Sequence, residues 1–269
     1  MELRIVFKSK EKEPLHVPKQ NLHMIQAMLY SLLGKEYGDF LHTQGYRNTR
    51  NKPMKLFSFS WFQNTRLEFD EKNVIMPDGK FELSVTSPKQ EFCNSLIEGI
   101  RTQKQCQIGE HILDIQKVLV TEYLDIEKNP DFPFSVALAS PVMCHTTTCL
   151  NGKPYYSFLF PEDTEFWTRI NHNLKAKYSA MYPGKPIPEG NITCSAKTGL
   201  RRVKARFDVR STVPYKGSWG AFALDGPEEY KKLLLETGLG TKNSAGFGCV
   251  VPISGVTFRT RLIPVSEEM

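Results

Sequence analysis

Apolar positions recur along the chain in two rhythms. Leu22, Ile25, Leu29 and Leu32 fall at helical spacing and predict a helix over about 20–33. A short second helix is expected from about Lys35 to His42. Phe92, Leu96 and Ile100 repeat the helical rhythm across 88–102. Residues 3–8, 55–61, 81–86, 105–108 and 112–123 instead alternate or run apolar in short stretches, as strands do. The order is roughly β-α-β-β-α-β. That is the split βαβ or ferredoxin-like plan, a helix pair on one face of an antiparallel sheet.

The segment Asn129-Pro-Asp-Phe-Pro133 interrupts the pattern. A second series follows. Strands are expected at 134–142 and 155–159, then a helix over 162–181 with Phe166, Ile170, Leu174, Tyr178 and Met181 along one side. Strands at 191–197, 202–210 and 217–224, a helix at 227–237, a glycine-rich segment and terminal strands complete it. The predicted fold class is α+β, with two tandem ferredoxin-like (RRM-like) domains at 1–128 and 129–269.

Charge changes this picture. The chain has 269 residues, 35 basic and 29 acidic, for a net charge of +6. Residues 197–216 alone hold seven basic side chains and one acid. An excess concentrated in one short stretch points to a polyanionic partner. No apolar run is long enough for a transmembrane helix, and the N-terminus lacks the long apolar core of a signal peptide. The six cysteines contain no Cys-x-x-Cys pair, and Cys144-His145 with Cys149 lacks a fourth ligand at usual spacing. They read as buried free thiols of a cytoplasmic protein. No metal and no cofactor is expected.

Two motifs carry candidate chemistry. The first is Gly238-Leu-Gly-Thr-Lys-Asn-Ser-Ala-Gly-Phe-Gly248. It is neither a Walker loop nor a dinucleotide fingerprint, because the required Gly-Lys-Ser/Thr and Gly spacings are missing. Gly238, Gly240, Gly246 and Gly248 permit positive φ and let a backbone approach a phosphate beside Lys242. The same glycines would also serve a turn, with Gly238 as a helix C-cap. The second motif is Leu200-Arg-Arg-Val-Lys-Ala-Arg-Phe-Asp-Val-Arg210. On a strand, Val203, Ala205, Phe207 and Val209 face one way, and Arg202, Lys204, Arg206, Asp208 and Arg210 the other. Edge protection rarely needs so many cations, whereas a phosphate backbone rewards each one. Lys197 and Arg201 extend this set.

A third region runs from the first helix to Lys55. His23 and Tyr30, seven residues apart, share one flank of that helix. His42 ends the second helix, where a cationic imidazole is favoured. Arg47, Arg50 and Lys52 separate it from Lys55 with no intervening acid.

Together these elements resemble the repeat-associated (RAMP) superfamily, and within it the CRISPR-associated endoribonucleases that cut precursor CRISPR RNA inside each repeat. The glycine motif near the end of a doubled ferredoxin-like chain carries the resemblance. Ala-Met-Leu-Tyr30, Phe-Leu-His42 and Met-Lys55-Leu-Phe-Ser-Phe-Ser add to it. The resemblance implies sequence-specific, metal-independent cleavage of repeat RNA that leaves a 2′,3′-cyclic phosphate and a 5′-hydroxyl. It implies His42, Tyr30 and Lys55 as the catalytic residues, with Lys52 as an alternative cation and His23 as an alternative imidazole. The implied RNA-binding set is Lys52, Lys197, Arg201, Arg202, Lys204, Arg206, Arg210, Gly238, Gly240, Lys242, Gly246 and Gly248. CRISPR repeat RNA is the expected partner, to a monomer or homodimer. A non-catalytic RNA-binding subunit of a CRISPR effector complex is the alternative within the same superfamily.

Overall fold

The computed structural model describes residues 1–11, 14–127, 133–150, 152–208, 210–211 and 213–265. The N-terminal half starts with β1 (Glu2–Ser9), β2 (Leu15–Pro18), α1 (Leu22–Leu32) and α2 (Lys35–Thr43). Short strands follow: β3 (Tyr46–Arg47), β4 (Pro53–Met54), β5 (Ser58–Phe59), β6 (Glu68–Phe69) and β7 (Asn73–Met76). Then come β8 (Lys80–Thr86), α3 (Gln90–Gln103), β9 (Gln105–Ile108) and the long β10 (His111–Ile126). The main sheet runs β10-β1-β8-β5, antiparallel throughout. This is the fourth-first-third-second order of a ferredoxin-like unit. The predicted stripe is its core: Ile25, Leu29 and Leu32 of α1 pack with Phe92, Leu96 and Ile100 of α3 over Ile5, Leu83 and Val120.

The C-terminal half repeats the plan with β11 (Ser135–Leu138), β12 (Cys144–Leu150), β13 (Lys153–Leu159), α4 (Thr164–Met181), β14 (Thr193–Ala205), β15 (Tyr215–Asp225) and α5 (Glu228–Thr237). A 3-10 turn at Asn243–Ala245, β16 (Val250–Ser254) and β17 (Val256–Ile263) end it. Its sheet runs β16-β11-β15-β14, the same order, and β12 and β13 form a separate hairpin. Phe166, Ile170, Leu174 and Tyr178 of α4 fill this second core, as their spacing required.

Several boundaries differ from the sequence reading. The strand expected over 55–61 shrinks to Ser58–Phe59, because Leu56 sits at φ 51 and breaks the extended run. The strands expected at 191–197 and 202–210 are one strand, β14, irregular between Thr198 and Arg201, where Gly199 has φ 62. It stops at Ala205, so Arg206 and Arg210 lie beyond it, and Val209 lies outside the described residues. The expected boundary at 128–129 also falls outside them. β17, in the half assigned to 129–269, instead joins the N-terminal sheet beside β10. A third buried cluster of Leu22, Met143 and Phe247, with Trp61 and Tyr215 packed on it, joins the two halves.

Candidate active site

Tyr30, near the end of α1, has its ring edge-on to Phe57, with centroids 6.1 Å apart. Lys55 Nζ donates to its hydroxyl at 3.0 Å and lies 5.3 Å from its ring centroid. The left-handed turn at Leu56 buries that side chain behind Lys55, and Ser87 Oγ fixes it by donating to the Leu56 carbonyl at 2.9 Å. Such a conformation in a bulky residue costs of order 1–3 kcal/mol. Here it turns the chain so that Lys55 reaches α1. Lys52 does not reach Tyr30. It belongs to the exposed β3–β4 turn, where its amide donates to Asn48 Oδ1.

His42 is exposed at the end of α2 and touches neither Tyr30 nor Lys55 by any hydrogen bond among the described residues. It stands one helical turn beyond Gly38, on the same face. That face meets Tyr30, since a Cβ on Gly38 would lie 3.8 Å from Tyr30 Cδ1. His23 serves elsewhere: its Nδ1 lies 3.1 Å from the Phe207 carbonyl and its ring packs on Phe207, tying α1 to the segment after β14.

The glycine-rich segment approaches this pair from the other half and brings the Lys242 charge near Lys55. Gly238, Gly240, Gly246 and Gly248 all have positive φ, and all are buried. Gly248 packs so closely on the Leu239 carbonyl that a Cβ would fall 1.8 Å from its oxygen. For three of these glycines the expectation that they offer their amides to phosphate needs correcting. Gly238 N–H donates to Leu234, Gly246 N–H to Asn243 and Gly248 N–H to Pro141, while Gly240 pairs with Met143. The glycines fold the segment tightly, and Asn243 Nδ2 staples it by donating to the Leu239 and Phe247 carbonyls. What the segment presents outward is Lys242, itself at φ 60, with an exposed side chain 5.7 Å from the Tyr215 ring. The segment is anchored from α4: buried Lys177 Nζ donates to the Gly238 carbonyl at 2.6 Å and the Thr237 carbonyl at 3.3 Å.

Electrostatics bind these groups together. Burial lowers the Lys55 pKa, and the Lys242 charge lowers it further. Burial raises Tyr30 to about 12. His145, at the start of β12, is lowered by burial and then by Lys242. Its Nδ1 lies 3.3 Å from Thr241 Oγ1. Sequence reading weighed His145 only as part of a metal cluster, and nothing in its local pattern ties it to Lys242. Among the described residues no three His, Cys, Asp or Glu side chains cluster as a metal site would need. Cys149 is exposed, unlike the buried thiols expected.

The basic strand divides into two kinds of cation. Arg202 lies 4.1 Å over the Phe160 ring, and Lys197 Nζ donates to the Pro161 carbonyl at 3.1 Å. Arg201, Lys204, Arg206 and Arg210 are exposed, with no carboxylate paired to any of their side chains among the described residues. Lys204 and Arg206 border a cavity of about 570 Å³ between the halves, with Trp61, Phe69 and Trp219 on its walls.

Two ferredoxin-like units meet through a glycine-rich segment, with Lys55 and Lys242 near one another at the junction. Residues 127–252 match the family described as CRISPR associated protein Cas6, C-terminal. The chain is 26% identical over 203 residues to CRISPR-associated endoribonuclease Cas6 1 of Methanocaldococcus jannaschii, covering 74% of each chain. It is 25% identical over 269 residues to Cas6 2 of the same organism, covering 93% of this chain and all of that one. A solved structure of a CRISPR associated protein Cas6 superposes with a TM-score of 0.73 at 22% identity, over 94% of this chain and 99% of that one. No helix among the described residues is long and apolar enough to cross a membrane.

Proposed function

We propose that this protein is an endoribonuclease that cuts CRISPR repeat RNA without a metal ion, through attack by the 2′-hydroxyl beside the break. The observation that carries this reading is the Lys55–Tyr30 pair facing Lys242 across the junction of the halves. The relatives named as CRISPR-associated endoribonucleases support the substrate class.

The chemistry follows from the groups present. The 2′-hydroxyl loses its proton as O2′ bonds to phosphorus. The P–O5′ bond breaks and O5′ gains a proton, leaving a 2′,3′-cyclic phosphate and a 5′-hydroxyl. Lys55 and Lys242 stabilise the negative charge that grows on the phosphorane oxygens, and such preorganised donors act best in a water-poor pocket. Tyr30 keeps its proton at neutral pH, because burial raises its pKa to about 12. Its oxygen accepts from Lys55, so its own O–H is free to orient the substrate. His42 carries an imidazole, the side chain most often used for proton transfer, and stands on the α2 face that meets Tyr30. Arg201, Lys204, Arg206 and Arg210 hold the flanking phosphates.

The test is to incubate the protein with its genome's repeat RNA in EDTA and analyse the ends. One cut per repeat, ending in a cyclic phosphate, is expected. Binding without cutting would make the protein a non-catalytic RNA-binding subunit.

A further inference from the structure

The hairpin β12–β13 places a second imidazole beside the glycine segment. Met143 pairs with Gly240 in parallel, and the Thr241 amide donates to the Met143 carbonyl at 2.8 Å. Two residues further along each segment stand His145 and Lys242, near enough that the Lys242 charge acts on the imidazole. The Thr241 hydroxyl meets His145 Nδ1 at 3.3 Å. The imidazole is half-buried, with Tyr156 and Phe158 of β13 against it at centroid distances of 5.2 and 6.4 Å. It is thus held on three sides by a hydroxyl and two rings.

We propose that His145 is a catalytic base of the same pocket, taking the 2′-hydroxyl proton of an RNA whose scissile phosphate rests between Lys242 and Lys55. The inference rests on the endoribonuclease reading above. His145 Nε2 accepts the proton as the O2′–P bond forms. The P–O5′ bond then breaks, and O5′ takes its proton from His42. The two imidazoles thereby divide the proton transfers between the halves of the molecule.

The surroundings fit a base. From the glycine segment His145 faces Thr241 and Lys242, and from β13 it faces Tyr156 and Phe158. Lys216 of β15 reaches the Phe158 ring at 5.9 Å. Among the described residues no carboxylate pairs with His145, so nothing there favours the imidazolium. Burial and the Lys242 charge both favour the neutral ring, which is the form that accepts a proton.

The test compares single-turnover cleavage by wild type, His145→Gln, His145→Ala and His42→Ala. Each is assayed on an ordinary repeat RNA and on one with a sulfur leaving group at the 5′ position of the cut. Sulfur departs without a proton, so it rescues the loss of an acid and not of a base. The expected result is a loss of about 10²–10⁴-fold in both His145 variants, with RNA affinity and melting temperature retained and no rescue by sulfur. The acidic limb of the wild-type pH–rate profile disappears in His145→Gln, while His42→Ala is rescued by sulfur. Wild-type rates in the His145 variants, or their rescue by sulfur, would overturn the assignment of His145. If wild type itself fails to cut either RNA, the endoribonuclease reading falls first and takes this inference with it.

Discussion

Lys55 donates to the Tyr30 hydroxyl at 3.0 Å, joining two residues 25 positions apart on different elements. Neither α1 nor the segment before β5 makes a pocket alone. The contact exists because Leu56 adopts a left-handed conformation and directs Lys55 back to the helix. Replacing Lys55 with Met keeps the stem and removes the charge. Cleavage is expected to fall about 10²–10³-fold with RNA binding nearly unchanged, as measured by single-turnover kinetics beside a filter-binding titration. Tyr30→Phe is expected to cost less, because the ring still packs on Phe57.

The Lys55–Lys242 relationship gives a pH test. Lys55 loses its proton at lower pH than an ordinary lysine, for reasons of burial first and Lys242 second. The contribution of the Lys55 cation to cleavage is therefore complete at neutral pH and lost as pH rises through the lowered value. Lys242→Gln removes the repulsion and raises the Lys55 pKa. The alkaline limb of the pH–rate profile is expected to move to higher pH in that variant, even as the maximal rate drops.

Lys177 makes a separate prediction about stability. It is buried, its Nζ donates to two carbonyls, and burial lowers its pKa to about 7. Between that pH and the ordinary lysine value the unfolded chain binds a proton that the folded protein lacks. Stability from this residue therefore rises with pH across the window, and the cost of the buried cation is felt in full below it. The effect is on the order of a few kcal/mol. Lys177→Met is expected to flatten this dependence, so that urea unfolding places the variant closer to wild type, or above it, at pH 6 and below it at pH 10.

Much of this arrangement is legible in the sequence. The stripes of α1, α3 and α4 are periodic because each faces one core, and they announced both ferredoxin-like units. Tyr30 and Lys55 were legible through family resemblance. The strand break at Leu56 was not, because a left-handed leucine has no sequence signature. For the glycines the sequence left a turn and a phosphate cradle both open, and Gly238 proves to be the C-cap of α5. Composition marks positive φ, but only the three-dimensional contacts show that the Gly238, Gly246 and Gly248 amides point inward. His145 was hidden because its partners, Thr241 and Lys242, lie 96 and 97 positions away, brought close by the Met143–Gly240 pairing.

The basic strand yields a graded expectation. Arg201, Lys204, Arg206 and Arg210 have no carboxylate partners among the described residues, while Arg202 stacks on Phe160. Four phosphate contacts on a single strand correspond to a salt slope of about −2.8. Lys204→Glu with Arg206→Glu should weaken binding strongly and flatten that slope by about 1.4. Affinity measured across a salt series checks this, and an unchanged slope would remove the strand from the RNA path.

Phe247 holds the glycine segment in the junction, fully buried among Leu22, Met143, Trp61 and Tyr215. Phe247→Ala is expected to cost about 3–5 kcal/mol of stability. It should also release Lys242 from its place opposite Lys55. Denaturant melts give the first effect, and cleavage below the melting transition gives the second.

The central claim is 2′-hydroxyl attack in a pocket built by Lys55, Tyr30 and Lys242. The most direct measurement is single-turnover cleavage in EDTA of two repeat RNAs that differ only by a 2′-deoxy sugar at the cut site. The unmodified RNA is expected to be cut, and the deoxy RNA to bind with similar affinity and stay intact. Cleavage of the deoxy RNA at the same position would contradict the claim.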